Sequence, residues 1–166
     1  MKRIGYIAVV FLLTVVQVMG QVSIGKSSVD GDGLLDFASG TTSGIILPRV
    51  TTLPTTVGAL VYDSTDQKVK YNNGSWQDLS IESGSVDMTD QNLYSDVGNG
   101  VIIGSDTTTD EGVLTLESTD KALILPKIAS PEVNVKSPEA GMICYDTVKK
   151  NLVVYNGEEW TFWSID

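Results

Sequence analysis

The sequence IILPRV at residues 45–50 returns as LILPKI at residues 123–128, and the agreement extends to both sides of this block. The matching stretches keep their order while the spacers between them differ in length. A duplication explains this arrangement better than chance does, so the chain contains two copies of one repeat. The other matching pairs are IG at 24–25 and 103–104, GLLDF at 33–37 and GVLTL at 112–116, GALVYD at 58–63 and GMICYD at 141–146, and YNNGSW at 71–76 and YNGEEW at 155–160.

Each copy has the pattern of short β-strands. Its apolar runs are brief, rich in Ile, Val, Leu and Tyr, and bounded by Gly, Pro, Asn, Asp and Thr. Beyond the first twenty residues no stretch has helical periodicity. We therefore predict an all-β fold, with two tandem copies of a short-strand β-meander repeat. The predicted meander strands are 59–62, 68–71 and 76–79 in the first copy, and 142–145, 152–155 and 160–163 in the second.

The last turn of each meander carries an Asn-Gly pair, at residues 73–74 and 156–157. Such pairs supply the positive φ angles that tight hairpin turns require. In both copies a Tyr precedes the loop and a Trp follows it. The two aromatic rings are expected to pair across the strands.

The two Ile-Leu-Pro blocks differ from ordinary strands. Proline cannot donate a hydrogen bond to a sheet, so it ends a strand or lies on an edge. Residues 45–47 and 123–125 are apolar at consecutive positions, which predicts burial on both faces. Because a repeat of this length has a thin core, it needs cover from the other repeat or from another chain. The candidate interface and structural residues are Ile46, Leu47, Pro48, Tyr71, Trp76, Ile124, Leu125, Pro126, Tyr155 and Trp160.

The N-terminus has the pattern of a secretory signal peptide. Lys2 and Arg3 precede an apolar run at residues 7–16 that is shorter than the about 20 residues of a membrane span. Val18 and Gly20 suit a peptidase site, which predicts cleavage before Gln21. The alternative is a buried N-terminal helix or an uncleaved anchor. The predicted organisation is a signal peptide at 1–20, a repeat at 21–80, a polar connector at 81–100 and a repeat at 101–166, in a secreted or cell-surface protein without a stable membrane span.

Charge and composition limit the classes of molecule that the chain can bind. The chain has a net charge of −10, and loss of Lys2 and Arg3 would leave 9 of its 11 basic residues against 21 acidic ones, a net charge of −12. Nucleic acid and anionic lipid are therefore poor partners. The single cysteine, Cys144, cannot form a disulfide within the chain. It lies in an apolar run, which favours a small buried hydrophobic residue over a reactive thiol.

The motif order Ile-Leu-Pro-basic-apolar, Gly-x-apolar-apolar-Tyr-Asp and Tyr-Asn-(x)-Gly-x-(x)-Trp resembles a repeat of exported Bacteroidetes-type surface proteins and of bacteriophage tail-fibre tips. The resemblance covers most of residues 22–79 and 101–162. It implies a module of an extended β-rich fibre, often trimeric, with a role in attachment. The chain departs from a long fibre because it has two copies only and shows no collagen-like or coiled-coil shaft.

An enzymatic function is not favoured by these residues. The chain has no histidine, so the histidine-assisted nucleophiles are missing. Asp63 and Asp146 occupy equivalent positions and would be the pair for a glycosidase, but each ends a strand, where an Asp accepts hydrogen bonds from the following backbone. Residues 30–33 and 106–111 are rich in acidic groups without the ligand spacing of a calcium loop. We therefore predict no catalytic residues, cofactor or metal, and leave a weak calcium site open.

Carbohydrate binding is the alternative among binding functions. Flat apolar platforms for a sugar would come from Tyr71, Trp76, Tyr155, Trp160 and Trp163. Aromatic rings at hairpin positions more often cover a sheet face or a subunit interface. We expect a structural or adhesive surface protein that acts as a homotrimer, with a glycan or another surface receptor as its partner.

Two segments have the pattern of connecting chain. Residues 82–99 are polar and rich in Ser, Asp and Gly. Residues 129–139 contain Pro131 and Pro138 and are longer than their counterpart at 51–57. We predict a loop there that forms the larger surface excursion of the second copy and suits contact with a partner.

Overall fold

The structure is a computed structural model that describes residues 20–89, 91 and 100–163. Residues 1–19 of the predicted signal peptide and much of the connector lie outside this range. The regular secondary structure of the described residues consists almost entirely of short strands, which confirms the all-β fold. The first repeat contains β1 (Val22–Ile24), β2 (Gly33–Phe37), β3 (Ile45–Ile46), β4 (Arg49–Val50), β5 (Leu60–Asp63), β6 (Lys68–Asn72) and β7 (Trp76–Asp78). The second contains β8 (Val101–Ile103), β9 (Leu114–Leu116), β10 (Ala122–Leu123), β11 (Lys127–Ile128), α1 (Pro131–Asn134), β12 (Met142–Asp146), β13 (Asn151–Tyr155) and β14 (Trp160–Trp163).

Both predicted meanders are present. Strands β5, β6 and β7 form one antiparallel meander, and β12, β13 and β14 form the other. Each meander gains a short parallel strand from the Pro block of its own repeat, because β4 pairs with β5 and β11 pairs with β12. In the part of the chain that the structure describes, no helix is long and apolar enough to cross a membrane.

Proline divides each Ile-Leu-Pro block into two strands. Pro48 separates β3 from β4, and Pro126 separates β10 from β11. This is the expected effect of a residue that has no backbone N–H to donate. As a consequence the two halves of a block join different sheets, and the halves before proline cross to the other repeat. Strand β3 pairs antiparallel with β12, while β10 pairs parallel with β2.

Two further sheets, called the front sheets below, contain the strands that precede the Pro blocks. The first front sheet has three strands in the order β1-β2-β10, all parallel. The second front sheet has two parallel strands, β8 and β9. The two sheets are therefore equivalent in their first two strands and differ in the third.

The main hydrophobic core lies between the two repeats. One cluster of buried side chains contains residues of both copies, so each repeat covers the thin core of the other. Its buried members are Leu47, Tyr62, Val69 and Leu79 from the first repeat and Ala140, Ile143 and Val154 from the second. A second cluster lies within the second repeat and contains Ile128, Val135, Met142, Cys144 and Val153. The two meanders thus bury their inner faces mostly against each other.

The segment predicted as a loop at 129–139 contains one helical turn, α1. Pro131 is the first helical residue, where its fixed φ favours a helix and its missing N–H costs nothing. The amide of Val135 donates to the carbonyl of Pro131 at 3.0 Å. A four-residue helix is too short to produce a periodic pattern in the sequence. Val133 on this turn is 61% exposed, in agreement with a surface excursion.

Candidate assembly surface

The first Pro block is only partly covered within one chain. Leu47 is buried, and its amide donates to the carbonyl of Gly141 at 3.0 Å. The carbonyl of Pro48 accepts a hydrogen bond from the amide of Tyr62 at 2.8 Å. Ile46, in contrast, is 48% exposed. One chain therefore does not supply the predicted cover for Ile46, and burial of this side chain by another chain stays a prediction.

The second Pro block shows the same partial cover. Pro126 is buried, and its carbonyl accepts from the amide of Tyr145 at 2.9 Å. Ile124 and Leu125 are half-buried, and Leu125 packs against the core shared by the repeats. Leu123 is 36% exposed. Both blocks therefore place apolar side chains at the surface of the single chain, and their role between chains stays a prediction.

The aromatic pair expected in the second hairpin is present. Tyr155 lies opposite Trp160 in the antiparallel register. Their ring centroids are 5.0 Å apart and the ring planes are inclined by 45°. Both rings also pack against the cluster within the second repeat. This geometry is a favourable one for aromatic side chains.

In the first hairpin the expected Tyr71–Trp76 pair is wrong. Trp76 lies opposite Asn72, and Tyr71 lies opposite Gln77. The first hairpin therefore closes one residue later on its first strand than the second hairpin does, at Asn72 and not at the tyrosine. The indole N–H of Trp76 donates to the carbonyl of Pro54 at 3.2 Å instead. Tyr71 packs against the core shared by the repeats.

The asparagines that follow the tyrosines, Asn72 and Asn156, hold the turns, a role that was not among the predictions from the sequence. The positive φ angles fall on Gly74 (107°) and Gly157 (103°) alone, without the preceding asparagines. The Oδ1 atom of Asn72 accepts from the amide of Gly74 at 2.9 Å. The Oδ1 atom of Asn156 accepts from Glu158 at 2.9 Å and from Glu159 at 2.7 Å. The signal was the Tyr-Asn pair common to both copies.

Polar contacts join the two repeats. The hydroxyl of Tyr62 donates to the carbonyl of Asn156 at 2.9 Å, and Tyr62 is fully buried. Burial raises the pKa of Tyr62 to about 12, so the hydroxyl stays a donor at neutral pH. Arg49 pairs with Glu139 at 3.0 Å and donates to the carbonyl of Ala140 at 3.1 Å. The repeats are thus fixed by directional bonds as well as by apolar contact.

Asp63 and Asp146 form turns, as their positions predicted. The Oδ1 atom of Asp63 accepts from the amide of Thr65 at 2.9 Å. The Oδ1 atom of Asp146 accepts from Val148 at 2.8 Å and from Ser130 at 3.2 Å. Both aspartates are buried. Their carboxylates therefore have a structural use that explains why they recur.

Cys144 is a buried, free thiol, in agreement with the sequence analysis. Burial raises the pKa of the Cys144 thiol to about 12, and the charge of Asp146 adds to the effect. A thiol with such a pKa is a poor nucleophile at neutral pH. Among the described residues, no three carboxylate, imidazole or thiol groups are arranged to hold a metal ion.

A buried carboxylate, Asp36, holds the loop between β1 and β2. It forms an ion pair with Lys26 and accepts from the amides of Asp30 at 2.9 Å and Phe37 at 2.8 Å. Burial by itself raises the pKa of Asp36, but Lys26 and the two amides outweigh it and leave the pKa below its ordinary value. Asp30, which the sequence suggested as a weak calcium ligand, pairs with Lys26 at 2.8 Å.

The aromatic side chains considered for sugar binding are engaged in packing. Trp163 is the most exposed of the tryptophans at 39%, and its indole N–H donates to the carbonyl of Leu79. It lines a shallow open groove together with Ile81, Thr161 and Phe162. Trp76, Tyr155 and Trp160 make the hairpin contacts described above. The structure thus gives these rings a packing role, and a sugar platform stays an alternative prediction.

Comparison with known families gives a match on both repeats. A family model described as "Phage tail like trimerisation region" matches residues 23–92 and 102–165, which together make up most of the chain. No curated protein and no solved structure matches significantly. The match in two segments confirms the internal repeat, and it confirms the relation to phage tail fibres that the motifs suggested. With both repeats accounted for, the chain belongs to the family of phage tail-like trimerisation regions, whose role is structural and self-associating.

Proposed function

We propose that this protein is an exported, non-catalytic structural subunit that assembles as a homotrimer and serves attachment at the cell surface or in the medium. Membership of the family of phage tail-like trimerisation regions supports self-association and a trimer. Export, attachment and the absence of catalysis are the further steps of the proposal.

The trimer is supported by apolar residues in or next to strands that one chain leaves uncovered. Exposed apolar strand residues cause aggregation unless a defined partner covers them, and closed symmetry covers them with a limited number of chains. The exposed fractions are 48% for Ile46, 58% for Val101, 53% for Val113, 43% for Leu114 and 36% for Leu123.

The mass of the purified mature protein tests this assembly. Light scattering and sedimentation equilibrium are expected to give three times the chain mass over a wide range of concentration. A monomer at high concentration would overturn the proposal.

Export is supported by the N-terminal pattern of two basic residues followed by a short apolar run. We expect mass spectrometry of the exported protein to give a chain that begins at Gln21. Recovery of exported chains that still carry Met1 would contradict the cleavage.

Attachment is supported by the relation to tail fibres, whose tips the motifs resemble. The trimer, labelled with a fluorophore, is expected to bind a surface polysaccharide or cell envelope in a saturable manner. Trp163→Ala tests the carbohydrate alternative, because Trp163 is the most exposed tryptophan. If the labelled trimer shows no saturable binding to envelopes or to a glycan array, the role is structural without attachment.

A further inference from the structure

The two front sheets are built alike, with one strand missing from the second. In the first, Val22 pairs with Leu35 and Ile24 with Phe37. In the second, Val101 pairs with Leu114 and Ile103 with Leu116, which are the corresponding residues of the duplication. Strand β10 completes the first sheet along the outer edge of β2. In the described part of the chain, the corresponding edge of β9 has no strand on it.

The exposed fractions of the corresponding side chains differ greatly. Leu34 and Leu35 in β2 are each 3% exposed. Their counterparts Val113 and Leu114 are 53% and 43% exposed. The second front sheet therefore presents an apolar surface at the place where the first one is covered.

The strand of the first repeat that corresponds to β10 is β3. The edge of β3 that corresponds to the β2-binding edge of β10 faces away from β12. The amide of Ile124, which follows β10, donates to the carbonyl of Leu35 in β2 at 2.9 Å, and the amide of Ala122 donates to the carbonyl of Asp32, just before β2. Strand β3 binds β12 through the amide of Leu47 and the paired residues Ile45 and Ile143. Successive amides of a strand point to opposite edges. The amide of Ile46, the counterpart of Ile124, therefore faces the opposite edge, and Ile46 is half-exposed.

A glycine in β2 and its counterpart beside β9 give independent support. A Cβ atom on Gly33 would meet the terminal methyl group of Ile124, so the isoleucine of the third strand fills the space beside this glycine. The counterpart of Gly33 is Gly112, and the counterpart of Ile124 is Ile46. Within one chain Gly112 is exposed, and a Cβ atom there would meet no apolar side chain within 4 Å. Gly112 thus leaves room for an isoleucine side chain next to β9, on the edge where β9 has no neighbouring strand among the described residues.

We propose that β9 of one chain binds β3 of a second copy as a parallel third strand, with Ile45 opposite Leu114 and the amide of Ile46 donating to the carbonyl of Leu114. The inference rests on the proposed trimer. Each chain offers one β9 edge and one β3 edge, so the contact joins two different surfaces, and a threefold rotation closes it into a ring. Addition of a strand to an open edge is a common mode of protein recognition.

Disulfide trapping tests the register of this contact. In a Cys144→Ala background, chains with Ile45→Cys and differently tagged chains with Leu114→Cys are co-expressed and oxidised mildly. We expect a disulfide between differently tagged chains. The control pairs Ile45→Cys with Val101→Cys, because Val101 is more exposed than Leu114 but lies on β8, away from the proposed edge. This pair is expected to form little disulfide.

A second variant does not depend on oxidation or on the stability of the Ile45 substitution. Gly112→Val fills the space proposed for Ile46 of the partner copy, so we expect loss of the trimer with a folded monomer. Gly33→Val is the matched control, and it should disturb folding of the single chain because β10 already lies there. A wild-type trimer that gives no Ile45–Leu114 disulfide and survives Gly112→Val would overturn the β9–β3 contact and leave the trimer standing. A monomeric wild-type protein would overturn both.

Discussion

Gly157 and Gly74 occupy corresponding turns with nearly the same φ, 103° and 107°. Their surroundings differ. A Cβ atom on Gly157 would collide with the backbone carbonyl of Ser85, whereas nothing lies within 4 Å of such an atom on Gly74. Gly84 approaches the backbone of Asn156 in a similar manner. At the scale of single residues, the second hairpin is therefore packed against the start of the connector, although the polar composition of that segment predicts only a linker.

We expect Gly157→Ala to lower the free energy of unfolding by more than Gly74→Ala does. Both substitutions strain a positive φ, at about 1–2 kcal/mol. Gly157→Ala also forces a methyl group into a packed contact, which adds about 1–3 kcal/mol. Urea denaturation of the two variants and the wild type measures the difference. Equal losses would show that the contact with Ser85 does not contribute to stability.

Part of this detail was predictable from the sequence and part was not. The Asn-Gly pairs predicted the turns and the positive φ of the glycines. The first hairpin nevertheless closes at Asn72, so Trp76 lies one position away from the expected partner. A four-residue spacing between Tyr and Trp permits either closure, and the contact of Trp76 with Pro54 is remote in sequence.

At the scale of elements, the β1–β2 unit depends on a buried charge. The pKa of Asp36 is lower in the folded chain than its ordinary value near 3.8, chiefly through Lys26 and two amides acting against burial. A carboxylate with a depressed pKa contributes stability that is complete above its unfolded-state pKa and is lost as the pH falls through its folded-state pKa.

We therefore expect the unfolding free energy of the wild type to fall as the pH decreases below about 4, and to fall less steeply in Asp36→Asn. Asp32→Asn is the control, since Asp32 is an exposed carboxylate in the same loop. Urea denaturation at several pH values between neutrality and strong acid gives the slopes. Parallel slopes for the wild type and Asp36→Asn would contradict the prediction.

The second hairpin depends on its aromatic pair. We expect Trp160→Ala to lower the unfolding free energy by up to about 3 kcal/mol, because it removes a half-buried ring and its contact with Tyr155. Trp160→Phe keeps a ring opposite Tyr155 and should recover most of the loss. Thermal denaturation followed by circular dichroism compares the variants. If Trp160→Ala melts like the wild type but binds envelopes less well, the ring belongs to a binding site instead.

The strands and meanders followed from sequence patterns because they are long enough to have a composition of their own. The pairing partners of β3 and β10 could not be predicted from the sequence, since a two-residue strand carries no pattern that specifies its neighbour. Which edge of each strand is used depends on how the two repeats pack. The sequence thus identified the Pro blocks as surfaces that need cover, and the fold decided that one edge of each is covered within the chain.

At the scale of the whole molecule, each repeat contributes one strand to a sheet of the other repeat. Strand β3 of the first repeat lies on β12 of the second, and β10 of the second lies on β2 of the first. The hydroxyl of Tyr62 adds a directional bond between them. The covalent connection through residues 90–99 is one of several links between the two halves.

This reciprocal exchange implies that the protein can be assembled from fragments. Residues 21–89 and 100–166, produced as separate polypeptides, are expected to complement each other and co-purify as a folded pair. Tyr62→Phe together with Ile46→Asp should weaken this complementation, since one change removes a bond between the halves and the other places a charge beside β12. If the two fragments remain unfolded after mixing, while the intact chain folds, the connector is required for folding. A chain whose two halves stay bound after the backbone is cut would tolerate proteolysis of the connector, which would suit the proposed location outside the cell.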